Sequence, residues 1–400
     1  MLSILNNFLS MLKPKRLIAS IEHNPEWPTL IFFCCIHGNE KAGYIALESF
    51  FEHIHNFPEQ LKGNLYGIFG NQEAYLQEFR FLDKDLNRIW TKSHLEESSR
   101  KDNVSEYHDL TEIYNVLYDI LKRSKSEVYC IDLHTTSGPT KPFIVMNDAL
   151  INRRFVRNLG YPVIFNVESF IEGALLNLLN DLGHVSLAFE GGEHYSKDSV
   201  KELKIFCYKT LYHTGIISAE ALIDMGISEK YFKSKPAKYF EMIFRQDLKP
   251  EDNFKMCGNY LNFQKLEKGE RIATLNNQSI YAPKNFRIFM PLYQKKGEDG
   301  FFYIKRINRF KLKVARVFRN LQAENLLTFI PGIKKLNFYT LSISKPLLKF
   351  IPKRLMFALG YRKSIEIDGE NICFTKQERK LKNLPKLSSF VSPYQNLTKT

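Results

Sequence analysis

The sequence predicts an α/β protein, a sandwich of helices around a central sheet, followed by a smaller β-rich unit and a basic extension. Three observations carry this. Short apolar runs alternate with helical patterns over residues 25–225, the signature of strands and helices layered on one another. Over 235–304 helical periodicity fades and short strand-like runs alternate with turns. From Lys305 onward the charge changes abruptly.

The elements read as follows. Pro28–Ile36 (PTLIFFCCI) is nearly all apolar and rich in β-formers, as a buried central strand is. After Gly38, residues Ala42, Ile45, Ala46, Ser49, Phe50 and Ile54 recur at spacings of three and four, which predicts a helix. Gly63–Phe69 is a second strand. Ser105–Lys122 is an amphipathic helix with Leu110, Ile113, Tyr114, Leu117, Ile120 and Leu121 on one face, and Ser105 is placed to cap it. Val128–Leu133, Pro142–Met146, Pro162–Asn166 and Val185–Glu190 are further strands. In the β-rich stretch the runs are Tyr260–Phe263, Lys268–Glu270, Gln278–Ala282, Arg287–Met290 and Phe301–Ile304. This gives three regions: 1–230, 231–304 and 305–400.

Composition narrows the function class. The chain has 400 residues, 44% hydrophobic and 14% aromatic, enough for a sizeable core. No run of 18 uncharged apolar residues occurs, so no spanning helix is expected. Met1–Met11 is apolar but lacks a basic leader and a cleavage-type site, and reads as a strand or helix of the mature protein. The six cysteines form no C-x-x-C pair, and Cys34, Cys35 and Cys130 sit in apolar strand patterns. Reduced thiols in a cytoplasm fit this better than a disulfide framework. The formal charge of +14 is uneven. Residues 305–400 hold 21 Lys and Arg against 5 Asp and Glu, whereas the first 304 residues hold 36 against 38. A basic segment interleaved with apolar residues suits an anionic membrane surface or a partner more than nucleic acid.

Three short stretches carry the chemistry: Ile36-His37-Gly38-Asn39-Glu40, Asp132-Leu133-His134, and Phe189-Glu190-Gly191-Gly192. His37, Glu40 and His134 supply two imidazoles and a carboxylate, a donor set suited to zinc, and three protein ligands leave a fourth position for water. Glu190 is a second, free carboxylate. Alone, each histidine reads as a helix cap or a satisfied core residue. Together, His37, His134 and Glu190 each end or follow a strand-like run, where open α/β sheets gather their sites. Asp132, two residues before His134 on the same strand face, is placed to orient an imidazole. Thr135 and Thr136 read as loop structure. His194 and the remaining histidines show no paired spacing.

HGNE, then NQEAYLQEFRFLDKDLNRIW, DLHTTS and FEGGEH, in this order, resemble the succinylglutamate desuccinylase/aspartoacylase family of the zinc carboxypeptidase superfamily. The segment LEKGERIATLNNQSIYAPKNFRIFMPLYQKKGEDGFF resembles that family's β-rich C-terminal domain. The resemblance spans roughly residues 15–304. It implies a zinc-carboxypeptidase-like α/β/α sandwich with a mixed central sheet. It implies one Zn2+ per chain on His37, Glu40 and His134, with Glu190 as general base and acid toward zinc-bound water. Arg80 matches an oxyanion-stabilising residue, Asn87 and Arg88 match residues that hold the substrate's carboxylate, and Tyr293 falls at a substrate-contacting tyrosine. One departure stands out: Asn180 and Asp181 occupy the stretch where aspartoacylases carry an arginine for the substrate side chain.

The function expected is a zinc-dependent amidohydrolase that cleaves an N-acyl amino acid to a carboxylate and a free amino acid. The alternatives are a metallocarboxypeptidase acting on peptides and a non-catalytic binding protein dominated by its basic tail. A narrow pocket closed by residues 235–304 favours the small-molecule deacylase, and an open groove favours the peptidase. A cytoplasmic protein, peripheral to a membrane through its tail, is the corresponding expectation for location.

Overall fold

A computed structural model describes residues 13–100, 103–232, 236–294, 297–366 and 369–376. The expectation for Met1–Met11 lies outside the described residues, and so does 377–400 of the basic extension. The first strands are β1 (Leu17–Ile21), β2 (Thr29–Cys34), β3 (Asn64–Phe69) and β4 (Val128–Thr136). They are followed by β5 (Phe143–Val145), β6 (Val163–Phe165), β7 (Val185–Glu193) and β8 (Tyr239–Asp247). All six residues of β2 and of β3 are buried, as their unbroken apolar runs require. β2 pairs in parallel with β3 and with β4, and β4 in parallel with β7. The carboxyl ends of these four strands therefore share one edge of the sheet.

Helices cover both faces. α1 (Ala42–Ile54) is followed by the short helices α2 (Gln72–Leu76) and α3 (Lys92–Ser98), then α4 (Ser105–Arg123). After these come α5 (Leu150–Val156), α6 (Leu175–Asp181), α7 (Lys197–His213) and α8 (Ala219–Asp224). α1 and α7 pack Ala46, Leu47, Phe50, Leu203 and Phe206 against Leu30, Phe32 and Leu187 of the sheet. On the opposite face α4 and α6 pack Leu110, Ile113, Leu117 and Leu178 against Ile31, Phe33 and Ile68. Each such side chain contributes about 1.5–3 kcal/mol by leaving water. Of the apolar stripe expected on α4 only Leu121 is not fully buried. Ser105 does not cap this helix: Val104 holds the cap position without a side-chain bond. The Ser105 N–H is instead satisfied by Asp83 Oδ2 at 2.8 Å.

Only part of the β-rich segment forms a sheet of its own. Its strands include β9 (Phe254–Met256), β10 (Lys265–Leu266), β11 (Arg271–Leu275), β12 (Gln278–Tyr281), β13 (Phe286–Phe289) and β14 (Asp299–Ile307). β8, β14, β13 and β10 extend the central sheet, in the order β1-β3-β2-β4-β7-β5-β6-β8-β14-β13-β10, with mixed strand directions. β12, β11 and β9 form a separate three-stranded antiparallel sheet. Two expected strands are absent. Tyr260–Phe263 is a loop whose Phe263 sits at φ +70°, and Lys268–Glu270 is a turn with Gly269 at φ +85°, since neither backbone is extended enough to join a ladder.

The charge break near residue 305 falls inside β14. Beyond it the chain forms α9 (Arg309–Asn320), β15 (Ile333–Lys335), β16 (Thr340–Ser344), α10 (Lys353–Ala358), β17 (Tyr361–Glu366) and β18 (Asn371–Lys376). The four strands make an antiparallel sheet with a core of Ile333, Leu341, Ile343, Met356, Leu359 and Tyr361. Two of the extension's arginines are buried against the first region of the chain. Asp148 Oδ2 accepts from Arg319 Nη2 at 2.8 Å and Arg362 Nε at 3.0 Å, beside Arg153 Nη2 at 2.8 Å. Burial alone would raise the Asp148 carboxyl. The three guanidiniums instead hold it well below the ordinary aspartate range.

Candidate functional site

His37 and Glu40 lie in the turn between β2 and α1. This turn is shaped by close backbone approach. Cys35 takes a left-handed φ of +54°, and a Cβ on Gly38 would lie 2.2 Å from the Ala74 carbonyl carbon. Only glycine fits there, and its N–H donates to the Arg80 carbonyl at 3.1 Å. His134 and Glu190 are register partners near the carboxyl ends of β4 and β7. The strand-end placement expected of all three is what the sheet provides.

The donor atoms of His37, Glu40 and His134 lie within 4.8 Å of one another, and all three residues are buried. His37 Nδ1 is 2.7 Å from Glu40 Oε1, and His134 Nδ1 is 2.9 Å from Glu40 Oε2. The far nitrogens are each taken by an aspartate. His134 Nε2 meets Asp132 Oδ2 at 2.7 Å, and His37 Nε2 meets Asp85 Oδ1 at 3.2 Å. Each imidazole thus has an aspartate on Nε2 and turns Nδ1 toward Glu40, and an acidic partner on the far nitrogen is what orients metal-binding imidazoles. The Thr135 N–H donates to Glu40 Oε2 at 2.9 Å and fixes the carboxylate.

The electrostatics follow from burial opposed by close charges. Burial would raise Glu40, but His134 and then His37 bring it well below the carboxylate range. Burial would lower His134, but Asp132 and Glu40 raise it well above the usual histidine value. Burial would raise Asp85, but Arg80 and then His37 depress it. At Glu190, burial together with Glu40 outweighs the lowering by His134 and Arg80. Burial pushes its carboxyl up to about 8, and its Oε2 has no hydrogen-bond partner.

A cavity of about 130 Å³ opens over this cluster. It brings together His37, Glu40, His134, Glu190, Arg80, Asn87 and Arg88. Arg80 donates to Asp85 Oδ2 from Nη2 at 3.1 Å and lies 3.6 Å from Glu40 through Nη1. The segment carrying Arg80 to Arg88 is held from below by Glu106. Its fully buried carboxylate accepts the N–H groups of Leu82, Asp83 and Lys84 at 2.7, 3.1 and 3.0 Å. The other wall is built by Met242, Asn262, Met290, Gln294, Glu298, Asp299 and Phe302, all from 235–304.

The positions expected to meet the substrate lie as follows. Tyr293 is not brought to the cavity. Its hydroxyl accepts the Tyr260 N–H and donates to the Gly258 carbonyl at 3.1 Å, which ties it to the β-rich unit. Asn180, expected at an arginine position facing the substrate, is fully buried and bonded to Asn152 and to the His184 carbonyl. Its identity therefore does not set the charge of the cavity. Asn87 and Arg88 line the cavity but are partly engaged. Asn87 Oδ1 accepts the Leu175 N–H at 3.0 Å at the start of α6, and Arg88 Nη2 donates to Asp299 Oδ2 at 2.8 Å. Glu298 stands 3.9 Å from Arg88 Nε.

Asp85, Thr135, His194, Glu298 and Asp299 were not legible as site residues. Asp85 sits in the DLNR block, and its spacing to Asn87 and Arg88 was a usable signal. His194 reaches the cavity with Nδ1 on Thr135 Oγ1 at 2.7 Å, a contact made only by the tertiary pairing of β4 and β7.

Residues 26–174 match the family model for the succinylglutamate desuccinylase/aspartoacylase catalytic domain. The resemblance read from the motifs holds. The desuccinylase-type fold recurs in solved structures. A succinylglutamate desuccinylase from Vibrio parahaemolyticus is 16% identical at a TM-score of 0.54, covering 72% of this chain and 84% of its own. The Vibrio cholerae enzyme is 16% identical at 0.53, with 72% and 83% covered. The ectoine utilization protein EutE (DoeB) from Ruegeria pomeroyi, solved with product bound, is 16% identical at 0.52, with 72% and 88% covered. No curated protein sequence matches the chain. At these identities the likeness to solved structures is one of fold.

Proposed function

We propose that the chain is a zinc-dependent deacylase that cleaves the amide bond of a small N-acyl amino acid. One observation carries the reading. Three metal-type donor atoms and the unpartnered carboxylate oxygen of Glu190 converge on one small cavity that also holds two arginines.

The donor set fits a divalent ion. Two imidazole nitrogens and a carboxylate are the ligands zinc takes in catalytic sites, and both imidazoles are already oriented by aspartates. An ion held by His37, Glu40 and His134 supplies Lewis acidity toward a carbonyl oxygen and lowers the pKa of water. Glu190, buried and unpartnered, in its ionised form accepts a proton from the attacking water and returns it to the departing amine nitrogen. The Arg80 guanidinium stabilises negative charge as it develops on the carbonyl oxygen. Arg88 reads the carboxylate of the amino-acid part, in competition with Asp299.

The size of the cavity supports a small substrate over a peptide. About 130 Å³, walled by the segment 235–304, suits a compact acylated amino acid, and no open groove over Glu190 is needed. The test is metal content of the purified protein together with a screen of N-acyl amino acids, read as released amine. About one zinc per chain and turnover lost in His37→Ala and Glu190→Ala are expected. A metal-free protein, or activity indifferent to both substitutions, sinks the reading.

A further inference from the structure

The basic extension has a face that the deacylase reading does not use. Between Lys305 and Ile365 the chain has 15 Lys and Arg but one acidic residue, Glu324. Glu324 is fully buried, with Lys376 Nζ 2.6 Å and Lys335 Nζ 3.4 Å from its Oε1. This stretch therefore exposes basic and apolar side chains with no carboxylate among them.

α9 is apolar on two sides. Leu312 packs against the main core, and Ala315 and Arg319 are buried beside it, so this face is docked. At 100° per residue, Phe310, Val317 and Leu321 fall on the opposite side. They are 70%, 49% and 74% exposed. Lys311 and Lys313 flank that stripe and have no ion-pair partner among the described residues. The 3-10 turn Ala323–Phe329 packs against α9 and exposes Leu326 and Phe329, with Ile330 next in the chain. Among the described residues, nine of the nineteen large exposed hydrophobic residues lie between 310 and 350, so apolar exposure is concentrated in this stretch. A patch of this kind marks an interaction surface.

We propose that this face lies on an anionic lipid bilayer. Phe310, Val317, Leu321 and Phe329 enter the headgroup–acyl boundary while Lys311 and Lys313 reach anionic headgroups. Charge decides between occupants. A second copy would bring two all-basic faces together, whereas a bilayer rich in anionic lipid neutralises them. Long basic side chains beside an apolar stripe keep their heads at the phosphates and their stems in the apolar layer. No helix of the described residues is long and apolar enough to cross a membrane, so the contact is peripheral. The inference does not depend on the catalytic reading.

The experiment is co-sedimentation of the full chain with vesicles of phosphatidylcholine alone and with phosphatidylserine at roughly 30%. Bound fraction at least about tenfold higher on the anionic vesicles is expected, falling as salt shortens the Debye length. The double variant Phe310→Glu/Leu321→Glu should return binding to background. Ile223→Glu, at an exposed apolar position on α8, should leave it unchanged. Circular dichroism establishes that each variant is folded, and Lys311→Glu/Lys313→Glu, which keeps the apolar stripe, should lose the preference for phosphatidylserine. Absence of binding to anionic vesicles, equal binding to both vesicle types, or a folded Phe310→Glu/Leu321→Glu variant that binds like the parent overturns the proposal. So does a dimer in sedimentation velocity that this variant dissolves, since a second copy would then be what covers the face.

Discussion

Arg88, the proposed receptor for the substrate's carboxylate, is already paired with Asp299. Their N–O distance is 2.8 Å, and the two side chains are 15% and 16% exposed. Asp299 also pairs with Arg245. A substrate carboxylate must therefore compete with an internal one. Close charge pairs are coupled by about 1.5 kcal/mol or more, and partial exposure places this pair at the lower end of that range. Asp299→Asn keeps the shape and removes the charge, so it should release about 1.4 kcal/mol of competition, a tenfold gain in affinity. The assay is calorimetric binding of N-acetyl amino acids, compared with the matching N-acetyl amines that lack the carboxylate. Only the carboxylate-bearing ligands should tighten, about tenfold, and the gain should vanish in Arg88→Ala/Asp299→Asn. Equal changes for both ligand classes, or a gain that survives loss of Arg88, would refute the argument.

Further outcomes are expected from other positions. Asp132→Asn keeps a hydrogen-bond acceptor for His134 but loses the charge, and should weaken zinc binding about 10–100-fold in chelator competition, with the fold intact by circular dichroism. Glu190→Gln should lower kcat by about 10²–10⁴-fold while zinc content stays at the parent level. Asp148→Asn leaves three arginines facing a neutral side chain and should cost about 3–5 kcal/mol in denaturant unfolding. Asp148 also sets an acid dependence. Its folded pKa lies below its unfolded value, so its contribution is complete above the ordinary aspartate range and is lost as pH falls below it. Stability measured from pH 6 down to about 3 should fall less steeply in Asp148→Asn than in the parent.

The legibility of the site differs by residue type. His37, Glu40, His134 and Glu190 could be read because each adjoins an apolar strand run, and the parallel pairing of β2, β4 and β7 puts their ends on one edge. Asp132 could be read because period two places it beside His134. Asp85 had only its place in the DLNR block as a signal, and His194 had none, since its position comes from the pairing of β4 with β7. The hydroxyl of Tyr293 is held by the Tyr260 and Gly258 backbone, a pairing with no local signature in the sequence.

By itself the sequence determined the layered α/β core, the donor set and the basic character of the last hundred residues. These depend on local periodicity and residue type, which survive without knowledge of contacts. The tertiary structure alone decided how those residues are used. It joined the β-rich strands to the central sheet, set Asp299 against Arg88, and buried Arg319 and Arg362 on Asp148. Each of these joins residues far apart in the chain, and charge pairing across such distances leaves no periodic trace in the sequence. The same folding left the outer stripe of α9 uncovered, where composition had shown only a basic segment with apolar residues among the charges.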